Sequence, residues 1–196
     1  MFAIALSPTA QLRALEPWHA EEFAAHMDRA REYIRPWVGP GFISSDTGAT
    51  LARYAEQTAR DGARIFGIWD GGTLVGGVMF VEFSAASGTC ELGCWLEPGA
   101  EGRGLVTPAC RALLDWAFVE RGIHRAEWRC RGDNERSANV AKRLGLTFEG
   151  VLREAWKVGT DFYDKQVWSV LSPEWRSVGD AADLDPDADS SSPPRR

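Results

Sequence analysis

The stretch CELGCWLEPGAEGRGLVTPACRALLDWAF, Cys90–Phe118, decides the fold. A strand-like run ends at Leu96, a glycine-rich loop follows, and an amphipathic helix begins near Leu105. That helix carries Val106, Cys110, Leu113, Leu114, Ala117 and Phe118 on one face. Gly102 and Gly104 let the backbone approach a ligand, and the free N–H groups of the helix start point into the same space. With the positive end of the helix dipole, this is a site suited to a pyrophosphate. Taken alone, the loop reads equally well as a structural turn. A P-loop is excluded because no Gly-Lys-Ser/Thr is present. A dinucleotide fingerprint would need its third glycine where Thr107 stands, and the loop follows three antiparallel-looking strands rather than opening a βαβ unit.

Upstream, Arg64–Trp69 and Thr73–Phe83 flank Asp70-Gly71-Gly72, a hairpin signal. Further forward, Gln11–Leu15 reads as a strand and Pro17 opens a helical stretch. A second helical segment runs to about Trp37, and Ser45 or Asp46 caps a third helix. Downstream, Ile123–Cys130 alternates, with His124, Ala126, Trp128 and Cys130 on one side and Ile123, Arg125, Glu127 and Arg129 on the other. Asn134 heads a short helix with Ser137 one turn in, and Gly145 ends it. Thr147–Lys157 and Asp161–Leu171 form a closing hairpin. The expected class is α/β (α+β), with a mixed, mostly antiparallel sheet of about seven strands and helices on both faces.

The 196 residues have ordinary globular composition, with 44% hydrophobic and 26% charged residues, which excludes wholesale disorder. The expected division is one domain over residues 1–177 and an acidic, Pro/Ser-rich disordered tail over 178–196. The net charge is −6; without the tail's five Asp and two Arg, 20 basic and 23 acidic residues remain, or −3. That balance argues against a nucleic-acid coat. No apolar run approaches the ~18 residues of a membrane span. Four cysteines without a CxxC, and histidines far from ligand-like spacing, argue against zinc and for reduced thiols in a cytoplasmic protein.

Five spaced motifs together resemble the GCN5-related N-acetyltransferase superfamily, in its ribosomal-protein N-terminal acetyltransferase branch (RimJ/RimL type). They are Glu91-Leu-Gly-Cys-Trp95-Leu96, Gly102-Arg-Gly104-Leu-Val, Asp133-Asn134-x-x-Ser137-x-x-Val140-Ala141, Gly145-Leu-x-Phe148-Glu-Gly150 and Tyr163-Asp164. Arg35-Pro36-Trp37 resembles the branch's early helical motif. The resemblance covers about residues 11–175. One departure is that the family's Gln/Arg-x-x-Gly-x-Gly/Ala begins here with Gly99.

The resemblance implies an acyl-CoA N-acyltransferase fold and acetyl-CoA, or another acyl-CoA, as cofactor. It implies that the strand ending at Trp95 and Leu96 polarises the thioester and that Gly102, Arg103, Gly104, Leu105, Val106 and Thr107 hold the pyrophosphate. Asn134 and Ser137 would contact the coenzyme, with Ser137 near its sulfur. Lys142 and Arg143 would reach the ribose phosphate, or simply face solvent. Glu91, Ser137 and Glu154 are the candidate catalytic groups: Glu91 or Glu154 as base, Ser137 as acid toward the leaving thiolate. Trp37 and Tyr163 would line the acceptor pocket, with core packing the alternative for each. The implied acceptor is a protein N-terminal α-amine. Alternatives are a small-molecule amine, with succinyl among the acyl groups, and a non-catalytic acyl-CoA-binding module. A homodimer is the family's habit; neither nucleic acid, membrane nor metal is implied.

Overall fold

The computed structural model describes residues 3–39, 41–44 and 46–175. Its elements run β1 (Ile4–Ala5), β2 (Ala10–Ala14), α1 (Ala20–Ile34), α2 (Thr47–Ala59), β3 (Arg64–Asp70), β4 (Thr73–Ser84) and β5 (Thr89–Leu96). They continue α3 (Val106–Asp115), β6 (Arg125–Arg131), α4 (Glu135–Arg143), β7 (Thr147–Val158) and β8 (Asp161–Leu171). The eight strands form one sheet in the order β1-β2-β3-β4-β5-β6-β8-β7. Among the described residues only β5 and β6 pair in parallel. The strand beyond the seven expected is the two-residue β1. The expected tail, 178–196, lies outside the described residues.

Local signals act as their chemistry dictates. Gly71 and Gly72, at φ 55° and 83°, turn β3 into β4, a backbone region that side chains other than glycine rarely enter. Asp46 caps α2, its Oδ1 accepting from the Ala49 N–H at 2.8 Å; Ser45, the other candidate, lies outside the described residues. The helix expected to extend to Trp37 ends at Ile34, and Arg35 to Trp37 form a turn. Pro36 is the reason: Arg35 keeps helical backbone angles and still donates to the Arg31 carbonyl, but proline has no N–H with which to continue the ladder.

Two cores lie on opposite faces of the sheet. Phe23, Met27 and Ile34 of α1 and Leu51 of α2 meet Ile65, Trp69, Leu74, Met79 and Trp95. On the other face, Cys110, Leu113 and Leu114 of α3 and Val140 and Ala141 of α4 meet Ile68, Val78, Phe80, Leu92 and Trp128. Each fully buried large side chain contributes about 1.5–3 kcal/mol.

Two irregularities shape the site. The β5–β6 ladder runs only from Thr89↔Arg125 to Leu92↔Trp128. Beyond it the strands diverge: β6 continues pairing with β8 through Arg131, and β5 with β4 through Leu96. In β7 the register shifts between Leu152 and Trp156, and Glu154 adopts φ 52°. The Asp164 carboxylate holds that bulge, accepting from the Glu154 N–H at 3.0 Å.

Candidate active site

The divergence of β5 from β6 opens a cavity of about 810 Å³. Its walls are the end of β5, the loop to α3, the start of α4, the turn after α1 and parts of α2 and β4. Along Gly93–Leu96 the edge of β5 facing the gap has no ladder partner, so alternate amides and carbonyls face the cavity.

The loop forming the next wall is built around two left-handed glycines, Gly102 at φ 73° and Gly104 at φ 72°. No backbone N–H from Gly102 to Leu105 donates a hydrogen bond among the described residues. Leu105 precedes α3 with no side-chain cap, so the first amides of that helix are also free. A row of unpartnered amides at the positive end of a helix fits an anion such as a pyrophosphate. Arg143 of α4 lines the same wall, its Nε 3.4 Å from the Thr107 hydroxyl.

The opposite wall carries α4. The Asn134 side-chain oxygen, Oδ1, caps that helix, accepting from the Ser137 N–H at 3.1 Å. The buried Trp128 indole donates to Ser137 Oγ at 2.9 Å. With that lone pair occupied, the hydroxyl proton of Ser137 is directed elsewhere. Glu91 of β5 lines the cavity too. Its carboxylate meets the Arg129 guanidinium at 3.2 Å, and Arg129 is held in turn by Glu127. Burial pushes the Glu91 carboxyl above the usual carboxylate range, with Arg129 opposing that rise. Two thiols also line the cavity, Cys94 and Cys130; burial pushes Cys94 up to about 12 and Cys130 upward. Both are therefore poor nucleophiles near neutrality.

Of the sequence candidates, Glu91, Trp95, Leu96, Gly102, Gly104, Leu105, Val106, Thr107, Asn134, Ser137, Arg143 and Trp37 line this one cavity. Four do not. The Arg103 side chain turns away to an ion pair with Asp70 in the β3–β4 hairpin. Lys142 lies over the Trp168 ring at 5.9 Å, on another face of α4. Tyr163 packs behind the wall against Arg131. Glu154 is exposed at the β7 bulge, since the extra residues break the alternation that would have turned it inward. Trp156 reaches the cavity instead.

Sequence reading missed a polar cluster at the rim. Tyr33 of α1 donates to Glu101 at 2.8 Å, and Arg136 of α4 contacts both. These three line the cavity from three different elements, and no local pattern links them. It also missed His26, whose Nε2 accepts from the Trp95 indole at 3.0 Å. Burial lowers His26 to about 4, so it is neutral and can act as that acceptor.

The sequence pattern described as the acetyltransferase (GNAT) domain matches residues 10–147. The chain is 27% identical over 164 residues to the ribosomal-protein-serine acetyltransferase of Escherichia coli, covering 82% of this chain and 91% of that one. Among solved structures it resembles RimL, a ribosomal-protein alpha-N-acetyltransferase, in complex with coenzyme A. The TM-score is 0.81 at 22% identity, over 87% of this chain and 98% of that one, a likeness of fold. It also resembles the microcin self-immunity acetyltransferase MccE in complex with acetyl-CoA and AMP. There the TM-score is 0.76 at 26% identity, over 86% and 95% of the two chains. Among the described residues no helix is long and apolar enough to cross a membrane, and no three metal-ligating side chains cluster.

Proposed function

The chain belongs to the acetyltransferase (GNAT) domain family, and from that premise we propose that it moves the acetyl group of acetyl-CoA to the α-amine of a protein N-terminus by direct attack. Acetyl-CoA supplies an activated thioester. The observation that carries the reading is the convergence of an unpaired β5 edge, the free amides of Gly102–Val106, Glu91 and Ser137 on one cavity. The relative named as a ribosomal-protein-serine acetyltransferase supports the acceptor class.

In this reading, the amides of Gly102, Arg103, Gly104, Leu105, Val106 and Thr107 hold the pyrophosphate. Arg143 reaches the ribose phosphate, while Arg103 contributes only its backbone. The β5 edge beside Trp95 and Leu96 offers an N–H to the thioester oxygen as it becomes negative, stabilisation worth several kcal/mol when preorganised. An α-amine with a pKa of ~8 gives up its proton more readily than a lysine at ~10.4. Glu91 receives that proton, directly or through one water, with Arg129 orienting it. As the C–S bond breaks, Ser137 gives its proton to the departing thiolate. The raised thiols of Cys94 and Cys130 speak against an acyl-cysteine intermediate.

Ser137→Ala is expected to lower kcat about 100-fold, the low end of what loss of a positioned acid costs, with acetyl-CoA affinity nearly unchanged. Steady-state thiol release checks it, and near wild-type turnover would remove Ser137 from this role. Glu101→Gln breaks the Tyr33–Glu101–Arg136 cluster and removes a negative charge next to the phosphate loop. Its coenzyme Kd is expected to fall by about 2- to 5-fold, the scale of an exposed ion pair, as read by isothermal titration at low salt.

The acceptor class is tested by thiol release and mass spectrometry with three sets of amines: free N-terminal peptides, N-terminally blocked peptides containing lysine, and polyamines. Acetylation confined to the free α-amine is expected. Turnover of a polyamine with no peptide modified would overturn the peptide reading and leave the acetyltransferase intact.

A further inference from the structure

Residues from three of the sequence motifs, Trp37, Asp133 and Tyr163, meet at one side chain. Arg131 ends β6 on its polar face, yet it is only 8% exposed. Its guanidinium carbon lies 4.2 Å from the Trp37 ring centroid and 4.3 Å from that of Tyr163. The same group forks onto Asp133, Nε to Oδ1 at 2.6 Å and Nη2 to Oδ2 at 2.9 Å. Nη1 approaches the Pro36 carbonyl at 3.5 Å. One planar cation thus touches the turn after α1, the turn before α4 and strand β8.

The consequence differs for each partner. Asp133 stands next to Asn134, whose cap is already secured by its own hydrogen bond to Ser137. Tyr163 sits in a regular strand, paired across from Trp156. Trp37 belongs to neither helix nor strand. Its backbone holds one local bond, from its N–H to the Ile34 carbonyl at 2.8 Å, while its side chain forms part of the cavity wall. The orientation of its ring therefore depends on what packs against it.

We propose that Arg131 is a positioning residue that fixes the Trp37 ring as a wall of the acceptor pocket, held itself by Asp133 and Tyr163. The proposal rests on the acetyltransferase reading, but not on which amine is accepted. Lysine cannot substitute, because an ammonium neither forks onto a carboxylate nor presents a flat face to two rings. Arg131 touches no reacting atom; it acts through Trp37.

The test uses the full chain and whichever amine the wild type acetylates. Arg131→Lys, Arg131→Gln, Trp37→Leu and the Trp37→Leu/Arg131→Gln double variant are compared for Tm, acetyl-CoA Kd, kcat and acceptor KM. Both Arg131 variants are expected to raise acceptor KM about tenfold while acetyl-CoA Kd stays within twofold. The double variant should be no worse in KM than Trp37→Leu alone, because both changes remove the same wall. A lower Tm with unchanged acceptor KM would make Arg131 merely structural and overturn the proposal, as would KM effects that multiply in the double variant. Should Arg131→Gln fail to fold, Arg131→Lys and Tyr163→Leu carry the same comparison against Trp37→Leu. If the wild type acetylates no amine at all, the acetyltransferase reading fails first, and that result is separate from any variant.

Discussion

Glu91→Gln is expected to lower kcat by about 10²- to 10³-fold, within the range for loss of a positioned general base. The swap keeps the shape of the side chain and removes its capacity to take a proton. Arg129 would still be held by Glu127 at 2.6 Å, so the wall should stand. The pH profile gives the second signature. Glu91 faces Arg129 of β6 and Lys165 of β8, which favour its ionised form, and Glu82 of β4 and Glu127 of β6, which oppose it. Burial exceeds the cations' effect and places the carboxyl above the usual range. The base form is lost as pH falls through that raised value, so kcat/KM should decline on the acid side at a higher pH than an ordinary carboxylate would give. In the glutamine variant that decline is absent. Stability should move the other way: a carboxyl raised by folding stabilises only when protonated, and its ionised form costs stability above that pH. At neutral pH the variant's Tm should match or exceed the wild type's, which separates a lost base from a folding defect. Wild-type kcat in Glu91→Gln would assign the proton to another group.

Gly77→Ala is expected to lose about 2–3 kcal/mol or more of stability, an overpacking effect at the upper end of its range. Gly77 lies in the middle of β4, paired with Gly67 on one side and Trp95 on the other. A methyl group there would press on the Phe66 carbonyl and the Trp95 ring. Neither can yield cheaply, since one is sheet backbone and the other is packed against Phe42 and hydrogen-bonded to His26. Displacing that indole also disturbs β5 where it borders the cavity, so activity should fall with stability. Urea denaturation provides the measure, and a loss below about 0.5 kcal/mol would mean the sheet adjusts freely at this point.

Local chemistry carried much of the fold in the sequence. The paired glycines after Asp70, the run ending at Leu96 and the capping Asn134 each act over a few residues, and each stands where its pattern placed it. The candidate site was legible in so far as glycines, cap and strand end are local, and they line one cavity. What escaped depended on distance or on broken periodicity. Glu154 and Trp156 share one side of the strand by simple alternation, but the bulge pinned by Asp164 leaves Glu154 exposed while Trp156 lines the cavity. Arg103 sits within the loop motif, yet its charge is satisfied by Asp70, 33 positions earlier. Arg131 belongs by alternation to the charged row of Arg125, Glu127 and Arg129; two aromatic faces from remote segments bury it. No periodicity encodes such contacts, because they arise only once the sheet has brought the segments together.

The short β5–β6 ladder has a mechanical meaning. Between β1–β5 and β6–β8 the sheet is joined through only four register pairs, Thr89 to Leu92 with Arg125 to Trp128. On the proposed reading, a molecule bonded to the bare edge of β5 and braced on α4 would take the place of the missing rungs and tie the two halves together. Occupancy would then become part of the scaffold's cohesion, gained by mass action and given up with each departing product. Slow amide exchange across this seam would track how full the protein is, making the sheet itself a gauge of its ligand.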